Sequence, residues 1–214
     1  MFTNIKNALI AENNTNKENA LKRLLEANDL QTALNTYKGK LTRLQREKCT
    51  SIDILHTIVK AKIEKEYQKG IEQGLKKLTE IENAPDLQYM SISVEWKKSR
   101  MWGSNPRAEA NDGQGYYDSG SIGGCGYDKL STAVANAANQ SKSLLKELYK
   151  AREKDTNTPL RDLLGYAAGY GVLPSLSGGV GVSCYPEIFN KIGFKFSTTA
   201  SGKMFDVFSI TKIN

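Results

Sequence analysis

Apolar residues recur at helical spacing through residues 1 to 90 and then change to a period of two. Leu21, Leu24 and Leu25 lie within Asn16 to Asn28 and predict a first helix there. Asp29 is placed to cap a second, along which Leu30, Leu34, Tyr37, Leu41 and Leu44 form one stripe ending near Lys48. Thr50, followed three residues later by Asp53, predicts the start of a third and long helix. Its seam runs through Ile54 or Leu55, Ile58, Ile63, Tyr67, Ile71, Leu75, Leu78 and Ile81, with Lys62, Glu64, Lys65, Glu66 and Lys69 outside it. A narrow apolar seam needs a cover. An antiparallel helical hairpin or short coiled coil within the chain supplies one; self-association through these helices, giving a homo-oligomer, or docking onto another protein are the alternatives.

Pro85, in Asn83-Ala84-Pro85-Asp86, cannot continue a helix and separates a helical module of residues 1–85 from a second module of residues 86–214. Ser91 to Lys97 alternates strictly and predicts a strand with Ile92, Val94 and Trp96 on one face. Arg107 to Asn111 and Gly115 to Ile122 predict two more strands, joined through Asp112-Gly113, a dipeptide suited to a tight hairpin turn. Asp128 is placed to cap a helix from Lys129 to Glu153, with Leu130, Val134, Ala137, Ser141, Leu144 and Leu148 on one face. Its alanines would let it approach a sheet closely. A shorter helix at Leu160 to Ala168, a glycine-rich passage from Gly169 to Gly181 and a brief helix from Pro186 to Gly193 follow. Phe194 to Thr198 and Phe205 to Ile210 form a closing hairpin around Ser201-Gly202. The whole order predicts an α+β fold, in which an N-terminal helical half precedes an antiparallel sheet covered by helices on one face.

Composition sharpens this division. Residues 1 to 90 hold 3 of the 18 glycines and 4 of the 18 aromatics, so turns and strands belong to the second module. With 39% hydrophobic and 25% charged residues the chain has globular composition, and its apolar runs are far too short to span a membrane. Met1-Phe2-Thr3-Asn4-Ile5-Lys6 lacks the features of a secretory signal, which predicts a soluble, cytoplasmic protein. Cys49, Cys125 and Cys184 are odd in number and widely spaced, as reduced packing residues would be, and no zinc site or other cofactor is expected. The net charge of +7 favours nucleic acid or an acidic protein surface as partner. Basic residues outnumber acidic ones 15 to 12 before residue 91 and 15 to 11 after it, so this division singles out neither half.

Two constellations could carry function. Gly123-Gly124-Cys125-Gly126-Tyr127-Asp128-Lys129 leads from strand to helix, where free N–H groups and Lys129 could hold an anion or phosphate at Gly124, Gly126 and Tyr127. It is not a Walker loop, and its glycines serve tight turns equally well. Cys125 has no base beside it in sequence, and the single histidine, His56, lies in the long N-terminal helix, so no catalytic residue is assigned. The second constellation, Trp96 to Arg107, interleaves cations with indoles. Lys97, Lys98, Arg100, Trp102 and Arg107 suit a macromolecular contact surface, with Trp96 filling the core as the plain alternative. The pairs Asp112 with Asp118 and Asp155 with Asp162 show no spacing that specifies a metal or a hydrolytic site.

Val94-Glu95-Trp96-Lys97-Lys98-Ser99-Arg100, Trp102-Gly103, Asn105-Pro106 and Gly124-Cys125-Gly126-Tyr127-Asp128-Lys129, with Ser131 and Ala133-Val134-Ala135, resemble a family of small phage and prophage proteins of bacteria. The resemblance covers roughly residues 90 to 210. Some small proteins from such genomes are anti-CRISPR inhibitors, and the resemblance implies a non-catalytic counter-defence protein of the bacterial cytoplasm that binds a Cas nuclease or its guide and DNA complex. The basic charge departs from acidic DNA mimicry and suits guide RNA, bound DNA or acidic faces of the nuclease instead. The residues alone leave two other expectations: a direct nucleic-acid-binding protein, and a nucleotide-binding protein or enzyme using the glycine-rich loop.

Overall fold

The computed structural model describes residues 1–96, 105–122, 129–154, 185–201 and 205–214. The chain divides into two compact units, Ile5–Lys76 and Lys77–Asn214, the second including Met1–Asn4. No helix among the described residues is long and apolar enough to cross a membrane.

The helical unit contains α1 (Thr3–Leu25), α2 (Leu30–Thr36), a 3-10 turn (Lys38–Lys40), α3 (Arg43–Lys48) and α4 (Ile52–Glu82) as far as Lys76. α1 starts at Thr3, well before the expected Asn16. The polar run Glu12 to Asn16 has weak helical propensity, but Ile5 and Leu9 are buried one turn apart, and this packing overrides it. Asn13 joins the helix by donating its Nδ2 to the Leu9 carbonyl at 2.8 Å. Asp29 caps α2 as expected, accepting from the Thr32 N–H at 2.7 Å.

The single helix expected to run to Lys48 is instead broken. Thr42 and Gln45 form a reciprocal capping box that starts α3, and the chain tightens through Lys38-Gly39-Lys40 before it. Leu41 is still buried, but Leu44 is turned outward and 61% exposed. α4 is likewise capped one residue later than expected, by Ser51 and not Thr50, whose place is outside the first turn. Ile54 faces out, leaving Leu55 as the inward residue of the seam.

Leu24, Ala33, Leu41, Cys49, Leu55, Val59 and Ile63 form one buried cluster, with Leu30, Leu34, Tyr37 and Tyr67 packed against it. The α4 seam from Leu55 to Tyr67 is therefore covered within the unit by α1, α2 and the chain leading to Cys49. α2 and α3 have only 7 and 6 residues and would be marginal alone, since isolated helices need roughly 12–15 residues to persist in water. Burial of Ala33 and partial burial of Leu30 and Leu34, at about 1.5–3 kcal/mol for a fully buried large aliphatic side chain, hold α2, whereas α3 buries none of its own residues and is held by its capping box and by the buried Leu41 and Cys49 on either side of it. His56 contributes a polar tie, its Nε2 lying 3.0 Å from the Ala27 carbonyl.

In the α/β unit, β1 (Tyr89–Trp96), β2 (Pro106–Asn111), β3 (Tyr116–Asp118), β4 (Phe194–Ser201) and β5 (Phe205–Lys212) form an antiparallel sheet in the order β3-β2-β1-β5-β4. The strict alternation of β1 buries Met90, Ile92 and Val94 on the face covered by helices α5 (Lys129–Ala138) and α7 (Tyr185–Lys191). Small residues suit a close approach over one end, where β2, with Ala108 and Ala110 buried, packs against α5, with Ala133 and Ala137 buried. Aromatic residues fill the other, where Tyr185 of α7 meets Phe196 edge to face at a centroid distance of 5.4 Å, while Phe196 stacks with Phe189 of α7 at 5.5 Å and with Phe208 at 5.6 Å. The opposite face is polar. Register aligns Tyr116, Asn111, Ser91, Ser209 and Ser197 in one row across all five strands, with the Ser197 and Ser209 hydroxyls 2.8 Å apart.

The Lys129–Glu153 helix of the sequence reading is two helices, α5 and α6 (Lys142–Lys154), broken at Asn139–Ser141. A buried carboxylate explains the break. β2 and β3 are joined by four residues and not by a two-residue turn, because Asp112 folds back to accept from the Gln114 and Gly115 N–H groups at 2.9 and 3.0 Å. Its other oxygen accepts from the Tyr117 hydroxyl at 3.1 Å and from the Ser141 hydroxyl. Ser141 in turn accepts from the Leu144 N–H at 3.1 Å and so caps α6. Burial disfavours the Asp112 charge, but these four donors outweigh it and hold its pKa below the usual value, whereas burial and the Asp112 charge push Tyr117 up to about 12.

α6 then secures the entry to the sheet. Lys146 donates to the Ala84 carbonyl at 2.6 Å, and Lys146 and Lys150 both reach Asp86, at 2.8 and 3.0 Å. Hydrogen bonds from Lys146 and then Lys150 lower the Asp86 pKa to about 2. The first residues are held in the same unit by Phe2, whose ring lies 5.6 Å from that of the buried Tyr149, and by the Asn4 N–H, 2.7 Å from Glu153. The expected helix at Leu160–Ala168, the Gly169–Gly181 passage and Gly202 of the closing turn lie outside the described residues.

Asp112→Ala strands the Ser141 and Tyr117 hydroxyls and should lower the unfolding free energy by about 1–3 kcal/mol in urea denaturation followed by circular dichroism. Both Asp86 and Asp112 bind protons more weakly folded than unfolded, so their contribution is complete above the ordinary value of 3.8 and is lost as pH falls through the folded values. Urea midpoints should therefore decline from about pH 5 downward, less steeply in Asp112→Asn. A Cβ at Gly74 would stand 2.7 Å from Cδ1 of the buried Leu9, whereas one at Gly70 would make an ordinary 3.5 Å contact with Asn13. Gly70→Ala should stabilise the protein by up to about 1 kcal/mol, and Gly74→Ala should destabilise it by about 1 kcal/mol because overpacking exceeds the propensity gain.

Candidate functional site

The boundary between the units redistributes the charge. Ile5–Lys76 holds 14 Lys and Arg against 9 Asp and Glu, so it carries +5 of the total +7; the remaining residues hold 16 against 14. Division at residue 90 concealed this, because Glu80, Glu82 and Asp86 precede that point yet belong to the second unit.

The cations concentrate at the turn between α2 and α3. Lys38, Lys40, Arg43, Arg46 and Lys48 fall within eleven positions that contain one acid, Glu47. Lys62 of α4 holds this segment in shape: its ammonium donates to the Lys40 carbonyl at 2.5 Å and to Gln45 Oε1 at 2.6 Å. The same Gln45 oxygen accepts from the Thr42 N–H at 3.1 Å, so one α4 side chain fixes both the 3-10 turn and the start of α3. Lys40 also pairs with Glu66, and Arg43 with Glu47 at 3.1 Å across one exposed helical turn. Among the described residues, Lys38, Arg46 and Lys48 enter no ion pair, and all three are exposed. The segment thus presents uncompensated charge on a backbone with little freedom to move.

Beside it lies a cleft of about 530 Å3 between α1, α2 and α4, lined by Asn13, Arg23, Tyr37, Lys40, Ile63 and Tyr67 among others. A second depression of about 380 Å3 shares Tyr67 and is bordered by Lys17, Lys65 and Gln68. The tyrosine rings are half-buried against the core, while neither hydroxyl forms a hydrogen bond within the described residues. Chemically, the face offers aromatic surface, unpaired hydroxyls and cations, the combination that meets phosphates and the flat faces of bases.

Among the residues expected to form a contact surface, Arg107 is described and lies on the polar face of the sheet. Its guanidinium grips Asp118 with two bonds, at 3.0 and 2.5 Å, which lowers the Asp118 pKa and reduces the charge Arg107 offers a partner. Lys97, Lys98, Arg100 and Trp102 lie outside the described residues, as do Gly124, Cys125, Gly126, Tyr127 and Asp128 of the glycine-rich loop. Lys129 opens α5 and is half-buried. Cys49 is a free, buried core thiol, in keeping with its packing role, and no group of His, Cys, Asp and Glu among the described residues could hold a metal ion. The basic segment does not stand out in the sequence, because one continuous helix through Lys48 would have spread its cations around the axis. The capping box that gathers them is what sequence reasoning missed.

Lys62→Met keeps the apolar stem and removes both donated bonds. Amide hydrogen exchange of residues 40–45 should quicken, with a stability loss of about 1–2 kcal/mol. Unchanged exchange there would contradict the role given to Lys62.

No family model matches the chain, and no curated protein and no solved structure shows a significant match to it.

Proposed function

We propose that this chain acts without covalent chemistry, by binding nucleic acid through the basic face of its helical unit. The observation that carries this reading is the concentration of +5 in Ile5–Lys76, with Lys38, Arg46 and Lys48 exposed and outside ion pairs on a segment held by Lys62. Phosphate groups satisfy such a surface directly, and release of their counterions supplies the driving force. A bacterial nucleoprotein defence complex, the target implied by the resemblance to phage proteins, presents the same phosphates on its guide RNA or bound DNA. The counter-defence role is the biological form of this reading, with the Lys97 to Arg107 stretch available for a second contact.

The contribution of this face is measurable by fluorescence anisotropy with a labelled oligonucleotide over a range of salt. Affinity should fall steeply with salt, and Lys38→Glu, Arg46→Glu and Lys48→Glu together should weaken binding by about ten-fold or more and lower the log–log salt slope by about 2–3. A flat salt response, or a triple variant that binds as tightly as the parent, would overturn the proposal. All three side chains are exposed, so thermal unfolding should stay close to that of the parent.

A further inference from the structure

The reading above leaves open which form of nucleic acid the helical unit takes. From the two depressions that share Tyr67 we infer that the ligand is single-stranded, with unpaired bases laid against Tyr37 and Tyr67 and the intervening phosphates met by Arg23, Lys40, Lys17 and Lys65. The inference rests on the nucleic-acid reading and adds to it a ligand class and a set of residues.

Three features of the surface carry it. First, the aromatic groups are recessed: Tyr37 and Tyr67 line a concavity of about 530 Å3 and pack against the core with their outer parts uncovered. Bases in a duplex are stacked on their neighbours and cannot enter such a recess, whereas a single strand can turn one base into it. Second, Tyr67 lines both depressions, the second of about 380 Å3, so the aromatic wall serves two adjoining compartments. A strand of successive nucleotides occupies such a pair; a lone mononucleotide leaves one of them empty. Third, charge complements a phosphate backbone. The two depressions hold four cations and two acids, and one of the acids, Glu66, is already paired with Lys40. The chain from Lys40 onward continues into the exposed cations of α3, which extends the track beyond the recess.

Ring stacking and backbone charge are separable by experiment. Binding of a labelled twelve-base single strand, the matched duplex and AMP to the full-length protein would be compared, for the parent and for Tyr37→Leu and Tyr67→Leu. Leucine retains apolar bulk against the core while removing the aromatic face, and circular dichroism melting confirms that each variant is folded. The single strand should bind more tightly than the duplex, and each leucine variant should weaken single-strand binding by about ten-fold while leaving duplex binding within two-fold. Photocrosslinking of a 5-iodouracil strand, located by mass spectrometry, supplies a readout on the parent protein alone and should label Tyr37 or Tyr67. Equal binding of strand and duplex, or crosslinks confined to other residues, would overturn the single-strand inference while leaving the nucleic-acid reading intact. Binding of AMP alone would replace the strand by a mononucleotide and overturn both, and so would binding of none of the three.

Discussion

A charged group withdrawn from water has to find hydrogen-bonding partners in the protein, and in each unit one such group organises the chain around it. In the α/β unit it is Asp112, whose two oxygens take four donors from the β2–β3 loop, from Tyr117 and from Ser141. That single carboxylate accounts for the length of the loop, the interruption between α5 and α6, and the position of the α6 cap. In the helical unit it is Lys62, whose ammonium meets the Lys40 carbonyl and the Gln45 side chain. The apolar cluster beneath would hold α2 in place as a short helix, but it would not by itself dictate the path from α2 into α3. Lys62 does.

The two units use their surface charge differently. In the α/β unit several cations are matched to acids: Arg107 to Asp118, and Lys146 and Lys150 to Asp86. These contacts tie loops to strands and helices to linkers. Around the α2–α3 turn the balance is reversed, with Glu66 and Glu47 engaging Lys40 and Arg43 while Lys38, Arg46 and Lys48 remain outside ion pairs. Exposed like charges so close together repel one another, a small cost to stability that a polyanionic partner would relieve. This difference, more than total charge, is the reason to look for function on the helical unit.

Much of the fold was legible in the sequence, for reasons that can be traced to particular residues. The long seam of α4 and the alternation of β1 are strong periodic signals, and Asp29 caps α2 where expected. The α+β class and the helices on one sheet face followed from the order of such segments. What was not legible depended on contacts distant in sequence. Asp112 meets Ser141 across 29 residues, and nothing in the local sequence of either foretells that the helix between Lys129 and Glu153 breaks there. Lys62 meets Lys40 across 22 residues and Gln45 across 17, so the basic turn looked like part of a continuous helix. The Asn-rich start of α1 looked unhelical because propensity registers the side chain and not the surface it packs on. For the site, the sequence showed that cations were abundant, but the unit boundary at Lys76 was needed to show where they collect.

The most direct test of the account is the pattern of backbone amide chemical-shift changes when an unlabelled single-stranded oligonucleotide is titrated into nitrogen-15-labelled protein at low salt. Changes should concentrate at residues 17–23, 36–48 and 63–68, and should fade as salt is raised. Changes confined to the α/β unit, or no changes at saturating oligonucleotide, would contradict the assignment of the helical unit as the nucleic-acid-binding surface.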